Sequence, residues 1–579
     1  MTLRIADSGT RDAAEVLLEV DGQTIAARRG ESLAAALSAA GIQSFRDTKG
    51  GAARGLFCGM GVCQDCLLSV DGTDNCRACM TKVSGPHVVR RQPFSARLPV
   101  SAGSIAPITV ADLPVRKPDV LVVGGGAGGL SAAIAAAEAG VGVVLLDERA
   151  QPGGQYYKQP AEGRPRTPDA QADEGQALID RARRAGVEIL CNADAWGAFA
   201  PTTIGATTPQ GSRLFQPRRL IVAAGAYERG LPVPGWTLPG VMTTGAAQTL
   251  LKTDGVLAGH RILVCGNGPL NLQVALELAR GGATVVAVAE LAEAPGLRQA
   301  GAALRMLRHA PGLVWQGVRM AAALKQRGIP VLNGHGLVRV EPHDGALRAT
   351  LARRTQSTLS PDRDVTVDVV LMGYGFMPSN ELLLALDCRH DFDTARGHLV
   401  TARNAQCETS VAGVYGVGDC CGLGGAKAAC EEGWIAGADA ARTLGHPLLP
   451  AATRAVTAAR ARLARHRGFQ AALWQLFAAP RLHTELAQSD TIICRCEEVT
   501  LGAIEATICD GTPAIGVVKR RTRLGMGRCQ GRYCAPLLAS LLAERQARPI
   551  DARAFFAPRA PAKPVAIRDL VRAAPVPPP

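Results

Sequence analysis

"DVLVVGGGAGGLSAAIAAAEAGVGVVLLDERAQPGGQ", residues 119–155, decides the fold of this 579-residue chain. An apolar run, 119–123, enters a cluster of glycines and then an alanine-rich segment of helical composition. A second apolar run, 142–146, ends at Asp147. Together they form one β-α-β unit. Gly124-x-Gly126-x-x-Gly129 falls between strand and helix, where a dinucleotide fingerprint belongs. The first glycine permits the tight turn, the second lets a pyrophosphate approach the backbone, and the third lets helix and strand pack closely. The helix amino end faces the phosphates. Asp147, closing the next strand, is placed to reach a ribose hydroxyl.

A second unit, "RILVCGNGPLNLQVALELARGGATVVAVAE" (261–290), repeats the pattern with departures. Asn271 stands where the third glycine would be, and the position matching Asp147 reads as Ala289, with Glu290 beside it. A side chain at the third position should push the helix off the strand or shift the loop. This unit is therefore expected to bind NAD(P)H poorly, another nucleotide, or none. The segments "PGGQ" (152–155), "LIVAAGAYER" (220–229) and "GVYGVGD" (413–419) resemble those of two-dinucleotide-domain flavoproteins, where they surround FAD. The resemblance implies FAD held by Gly124, Gly126, Gly129, Asp147, Gly154, Gln155, Gly225, Gly418 and Asp419. Asp419 would lie at the ribityl-pyrophosphate part, a role compatible with capping a helix. Disulfide reductases of this architecture keep a C-x4-C or C-x2-C pair near the flavin. "YYKQPAEG" (156–163) holds no cysteine, and a bond between adjacent Cys420 and Cys421 would be strained, so disulfide reduction is excluded.

"GLFCGMGVCQDC" (55–66) spaces Cys58, Cys63 and Cys66 as C-x4-C-x2-C, the plant-type [2Fe–2S] pattern with a distant fourth ligand. Gly59 and Gly61 let the loop wrap a cluster and turn amides towards sulfur. Upstream, "LLEVDGQTIAARRG" (17–30) reads as two strands joined at Asp21-Gly22. "SLAAALSAAG" (32–41) reads as a helix ending at Gly41. Hairpin, helix and cysteine loop make a β-grasp ferredoxin. Its fourth ligand is Cys76 or Cys79, both in "NCRACMTKV" (75–83). The "ACMT" segment resembles the ferredoxin-like domains of sarcosine-oxidase-type enzymes, which implies Cys79 and leaves Cys76 a bystander. A second constellation, "CRCEEVT" (494–500) and "GMGRCQGRYC" (525–534), supplies Cys494, Cys496, Cys529 and Cys534. Four thiolates hold zinc or an iron–sulfur cluster. C-x-C with C-x4-C is unusual for structural zinc and resembles the bacterioferritin-associated-ferredoxin-like [2Fe–2S] domain. Thr500 can cap one helix there, and Pro536 can start another.

The chain carries a net charge of +14, 17 cysteines and 47% hydrophobic residues. Its length calls for several domains. No basic–aromatic RNA motif or recognition helix accompanies the positive charge, so it reads as a solvated surface facing anionic cofactors rather than nucleic acid. No signal-peptide pattern and no run of eighteen apolar residues occurs. A cytoplasmic location, or one peripheral to the inner membrane, is expected, and cysteines there argue for metal or redox chemistry. The expected organisation is a ferredoxin-like domain at 1–100 and a linker at 101–117. A flavin domain follows in two segments, 118–255 and 366–450, around an inserted nucleotide-binding-like domain at 256–365. A helical connector at 451–489, a cysteine-rich domain at 490–545 and a Pro-rich tail at 546–579 complete it.

The whole order resembles the large (alpha) subunits of bacterial heteromeric flavoprotein dehydrogenases and oxidases, the group of opine oxidase, D-hydroxyproline dehydrogenase, hydrogen cyanide synthase and sarcosine oxidase. "AAGAYERGLPVPGWTLPGVMTTGAAQTLLK" (223–252) and the C-terminal cysteine segments carry the resemblance. It implies a multidomain α/β and α+β fold: a β-grasp domain, a Rossmann-like flavoprotein core and a small helical [2Fe–2S] domain. It implies an electron-transfer subunit of an oxidoreductase acting on the CH–NH group of an amino acid, imino acid or opine. A partner beta subunit of the D-amino-acid/glycine oxidase type, with its own FAD, would oxidise the substrate. Electrons would pass by a flavin at or near the subunit interface, FMN being one candidate, to two [2Fe–2S] clusters and on to a quinone or other acceptor. No histidine or carboxylate stands out as a general base, so no catalytic residue is assigned. The absence of a long domain beyond the last cysteines argues against folate-linked demethylation. The competing readings are an NAD(P)H-dependent reductase feeding its own clusters, and an iron-mobilisation module, which a complete flavin site disfavours.

Overall fold

Alternating glycine turns and short apolar runs build three five-stranded sheets, with smaller sheets beside them, described in a computed structural model over residues 3–5, 15–93, 113–164, 169–355, 358–509 and 514–571. The amino-terminal sheet orders its strands Gln23–Arg28, Glu15–Val20, Val88–Arg91, Leu67–Val70 and Thr73–Arg77. Asp21 and Gly22 both take positive φ, 48° and 86°, as a tight hairpin turn requires. Helix Leu33–Ala39 is capped by Ser32 and buries Leu33 through Ser38 against this sheet. The β-grasp domain does not stand alone. One apolar core runs from Leu18, Leu33 and Leu37 to Ala246, Leu250 and Val264.

The second sheet is all-parallel, in the order Glu188–Leu190, Val143–Leu146, Val120–Val123, Arg219–Val222 and Val414–Gly416. Its three central strands carry unbroken Val/Leu/Ile runs because both faces are covered. Helices Ala127–Glu138 and Ala426–Thr443 lie against one face, and the antiparallel strands between Asp194 and Phe215 against the other. The two helices nearly touch: a Cβ on Gly433 or Gly437 would lie 2.2 Å from Gly128 O or 2.1 Å from Ala132 O.

The third sheet is also parallel: Val241–Thr243, Val369–Gly373, Arg261–Gly266, Thr284–Glu290 and Val331–Asn333. Two of its strands, Val241–Thr243 and Val369–Gly373, fall inside the segments that sequence reading assigns to the flavin domain. They pair across more than a hundred residues, a register that local pattern does not encode. Part of the expected linker is structured too, since Val115–Arg116 pairs with Leu214–Phe215; residues 101–112 lie outside the described ones. Helix Pro450–Leu476 leads to the C-terminal unit, a short hairpin and helices Leu501–Cys509, Ile515–Thr522 and Cys534–Gln546. The last helix begins at Cys534, two residues before the proline expected to start it. The tail lies along its own chain: Ala562 N–H donates to Trp196 O at 2.6 Å, and Lys563 pairs with Asp194 at 3.0 Å. No helix among the described residues is long and apolar enough to cross a membrane.

Candidate functional site

A cavity of about 2470 Å³ opens at the carboxyl ends of the second sheet's strands, the position where open α/β sheets bind ligands. Gly124, Gly126, Asp147, Gly154, Gln155, Gly225, Gly418 and Asp419 all line it. Gly129 instead packs beneath the turn, where a Cβ would come within 1.8 Å of Gly124 O. A Cβ on Gly126 would meet only Gly154 Cα, at 3.8 Å. The two loops thus face each other backbone to backbone, and the amino end of helix Ala127–Glu138 opens onto a bare cradle. On the same wall, Arg149 Nη2 is buried without a hydrogen-bond partner. A side-chain-free cradle, a helix amino end and an unsatisfied guanidinium nitrogen fit an anionic dinucleotide.

The two acids also hold the local turns. Asp147 accepts the Gly125 N–H at 2.7 Å and the Arg149 N–H at 2.8 Å; burial pushes its pKa up to about 6. Asp419 accepts from the amides of Gly424 and Gly425, both at 2.8 Å, and so closes the turn into helix Ala426–Thr443. Burial raises its pKa too.

The second fingerprint corrects two expectations. Glu290, not Ala289, is the counterpart of Asp147, because Gly266 pairs with Glu290. A bulge between Ile262 and Leu263 shifts the register there, so counting from the glycines falls one residue short. Glu290 accepts from the Gly268 amide at 2.9 Å, from Asn267 Nδ2 at 2.8 Å and from the Ala292 amide at 3.0 Å. Nor does Asn271 force helix and strand apart. Its Nδ2 donates to Gly373 O at 2.9 Å, and its Oδ1 accepts from Thr244 Oγ1 at 2.9 Å. Gly373 makes the room, since a Cβ there would lie 2.0 Å from Asn271 Oδ1. Asn271→Ala should cost about 1–3 kcal/mol, because it strands two buried polar partners. A lowered urea-unfolding midpoint with unchanged flavin content is the expected result.

Sequence reading missed three residues that line the cavity. Lys158 Nζ donates to Gln155 O at 2.6 Å and to Gln248 Oε1 at 2.9 Å. Burial pushes its pKa down to about 7. Glu228 accepts the Gly245 N–H at 2.8 Å, and burial pushes its pKa up to about 7. Lys158, Gln248 and Glu228 line the cavity to whose wall Cys58, Met60 and Val62 also contribute, and Cys58 is near enough to Glu228 to add to the rise in its pKa. Lys158 lies in "YYKQP", a stretch that as bare sequence is informative only for lacking cysteine.

The amino-terminal cysteines come together in two close pairs. Cys66 Sγ and Cys79 Sγ are 3.4 Å apart, and Cys58 is in side-chain contact with Cys63. The amides of Met60, Val62 and Cys63 point at Cys58 Sγ. Cys76 turns away, its Sγ donating to Thr73 O at 3.3 Å. The C-terminal cysteines pair across their two segments, Cys494 with Cys534 and Cys496 with Cys529. Two thiolate pairs in each site fit a two-iron cluster, which takes two protein ligands on each iron.

A model of the pyridine nucleotide-disulphide oxidoreductase family matches residues 118–445. A 2Fe-2S iron-sulfur cluster binding domain matches 13–93, and a sarcosine oxidase A3 domain matches 488–573. An opine oxidase subunit of Rhizobium meliloti (strain 1021) is 31% identical over 464 residues, covering 78% of this chain and 98% of the relative. Hydrogen cyanide synthase subunit HcnB of Pseudomonas aeruginosa PAO1 is 34% identical over 427 residues, covering 72% of this chain and 90% of the relative. The solved structure of L-proline dehydrogenase from P. horikoshii superposes with a TM-score of 0.71 over 98% of this chain and 100% of its own, at 19% identity, a likeness of fold. The chain belongs to the pyridine nucleotide-disulphide oxidoreductase family and, within it, to the FAD and iron–sulfur oxidoreductases related to hydrogen cyanide synthase subunit HcnB and to this subunit of opine oxidase.

Proposed function

We propose that this chain is the electron-transfer subunit of a heteromeric dehydrogenase or oxidase acting on the CH–NH group of an amino acid, imino acid or opine. Substrate oxidation then takes place on a partner flavoprotein of the D-amino-acid/glycine oxidase type. The observation that carries this reading is a shared wall: the cysteine loop supplies Cys58, Met60 and Val62 to the same cavity that holds the dinucleotide cradle. A bound FAD supplies a carrier that takes up two electrons and releases them singly, which one-electron iron–sulfur centres require. The chain's own residues do the rest. Gly124 to Gly126 admit the pyrophosphate, Arg149 offers it a donor, and Asp147 and Asp419 fix the two turns around it. Lys158 and Glu228, whose pKa values burial brings to about 7, line the same cavity and would be able to take up or give back a proton there. Cys58, Cys63, Cys66 and Cys79 would hold one [2Fe–2S] cluster, and Cys494, Cys496, Cys529 and Cys534 a second. The opine oxidase and hydrogen cyanide synthase relatives are subunits, which supports a partner; an FMN at that interface and a quinone acceptor belong to the same proposal.

Tagging the chain in its host and purifying it gently should bring down a stoichiometric second flavoprotein, identified by mass spectrometry. Recovery of the chain alone, replete in flavin and iron, would turn the proposal towards an NAD(P)H reductase. Glu290, in the ribose-binding position of the second unit, favours that second reading. Against it, the Phe477 carbonyl lies on this loop, accepting from Asn267 Nδ2 at 3.1 Å. Anaerobic NADH is therefore expected to leave the flavin oxidised, whereas prompt bleaching of the flavin absorbance would overturn the assignment.

A further inference from the structure

The two cysteine constellations lie far apart in sequence, yet their loops meet. Asp65 sits between Cys63 and Cys66, and Arg495 between Cys494 and Cys496. Arg495 Nε donates to Asp65 Oδ2 at 2.7 Å, and Arg46 Nη2 to Asp65 Oδ1 at 2.8 Å. Asp65 is 0% exposed, Arg495 4% and Arg46 5%. The Arg495 guanidinium also lies 3.7 Å from the ring centre of Phe57 and 4.6 Å from that of Trp236. Its Nη1 donates to Trp236 O at 2.8 Å. Phe57, next to Cys58, meets Tyr533, next to Cys534, edge-on with centroids 5.5 Å apart. Each loop therefore delivers one charged and one aromatic residue, both adjoining cysteines, to the other loop.

A buried ion pair is weak evidence for stability, because desolvation offsets most of its attraction. This one has a different fit. Arg46, Asp65 and Arg495 sum to a net positive charge, and Arg54, buried beside them, is balanced by Glu498 at 3.6 Å, so the net charge stays positive. Clusters with four thiolate ligands are anionic, so a net positive charge between two of them eases their mutual repulsion. Resting on the two-cluster reading above, we propose that the Arg46–Asp65–Arg495 triad, with Phe57 and Tyr533, is the junction through which the two four-cysteine sites exchange electrons within this one chain. One site loses an electron as the other gains it; no bond forms or breaks and no proton moves. The junction also sets the potentials of both sites, since net charge and hydrogen bonding around the sulfurs tune them.

The test uses the full chain, reduced anaerobically with dithionite and followed by EPR. Iron and acid-labile sulfide are assayed first: content for a single site would refute the two-cluster reading itself, and the proposal with it. With both sites filled, the spectrum should show magnetic interaction between them. It should differ from the sum of the spectra of Cys58→Ser, which keeps the C-terminal site, and Cys529→Ser, which keeps the amino-terminal one. A wild-type spectrum equal to that sum would overturn the proposal. Redox titration then separates a junction from mere packing. Arg495→Met should lower the midpoint potentials of both sites, Asp65→Asn should raise them, and Arg495→Lys should restore most of the loss. Should Asp65→Asn fail to fold, the Arg495→Met and Arg495→Lys pair still decides. Shifts of one sign in every variant, or no shift, would refute the proposed role.

Discussion

Replacing Gly126 with valine is expected to give a folded chain that carries iron and no flavin. Gly126 has φ −79° and ψ −170°, a conformation open to any residue, so the substitution brings no backbone strain. Its added Cβ would meet only Gly154 Cα, at 3.8 Å, an ordinary contact. The two methyl groups of valine would then project into the cradle that the proposed pyrophosphate must enter. The phosphates would have to retreat from the helix amino end, losing charge-assisted hydrogen bonds worth roughly twice neutral ones. Gly129→Ala is the instructive contrast. Its Cβ would lie 1.8 Å from Gly124 O, which must move for the helix to stay on the strand. That variant should lose flavin and fold together. Flavin absorbance, iron content and circular dichroism on both proteins check the pair. A Gly126→Val protein that purifies yellow, with the flavin spectrum of the parent, would place the flavin elsewhere.

The contrast also marks how far the sequence carries. Apolar strand, glycine turn and alanine-rich helix are local, so residues 119–155 announce their β-α-β unit unaided, and C-x4-C-x2-C announces its loop. Reading Ala289 in place of Glu290 has a definite cause: the bulge at Ile262/Leu263 leaves no trace in composition. Asn271 reads as a steric fault only while its neighbour is unknown. Gly373, which makes room for it, comes from a distant strand. The strands Val241–Thr243 and Val369–Gly373 escape sequence reading for a similar reason, since sheet partners are chosen by three-dimensional packing. The hardest feature to foresee is the docking of the cysteine loops on one another. Asp65 and Arg495 read as ordinary charges between ligands, and their contact spans 430 positions of chain. The wall that the cysteine loop shares with the dinucleotide cavity is equally hidden.

If both four-cysteine sites hold [2Fe–2S] clusters as proposed, Cys529→Ser should remove one of two cluster signals and about half of the bound iron and acid-labile sulfide, because each such site needs all four of its thiolates. A serine hydroxyl stays protonated at neutral pH and replaces a thiolate ligand poorly. Cys529 is 4% exposed and paired with Cys496, so its loss would leave one iron of the proposed cluster a single protein sulfur. The flavin should remain, since the cradle at Gly124 to Gly126 belongs to a different sheet. The amino-terminal cluster should remain as well, since Cys58, Cys63, Cys66 and Cys79 sit on their own β-grasp domain, supported by helix Leu33–Ala39. Cys76→Ser is the matched control: one more cysteine is lost, from a position whose thiol faces Thr73 O, and both signals should persist. If Cys529→Ser kept both signals, the C-terminal thiols would have another purpose. If Cys76→Ser lost one, the fourth amino-terminal ligand would be Cys76, and strand Thr73–Arg77 would have to rotate to present it. That rotation would break the pairing of Leu68 with Cys76 at the sheet edge, which is the physical reason to expect Cys79 instead.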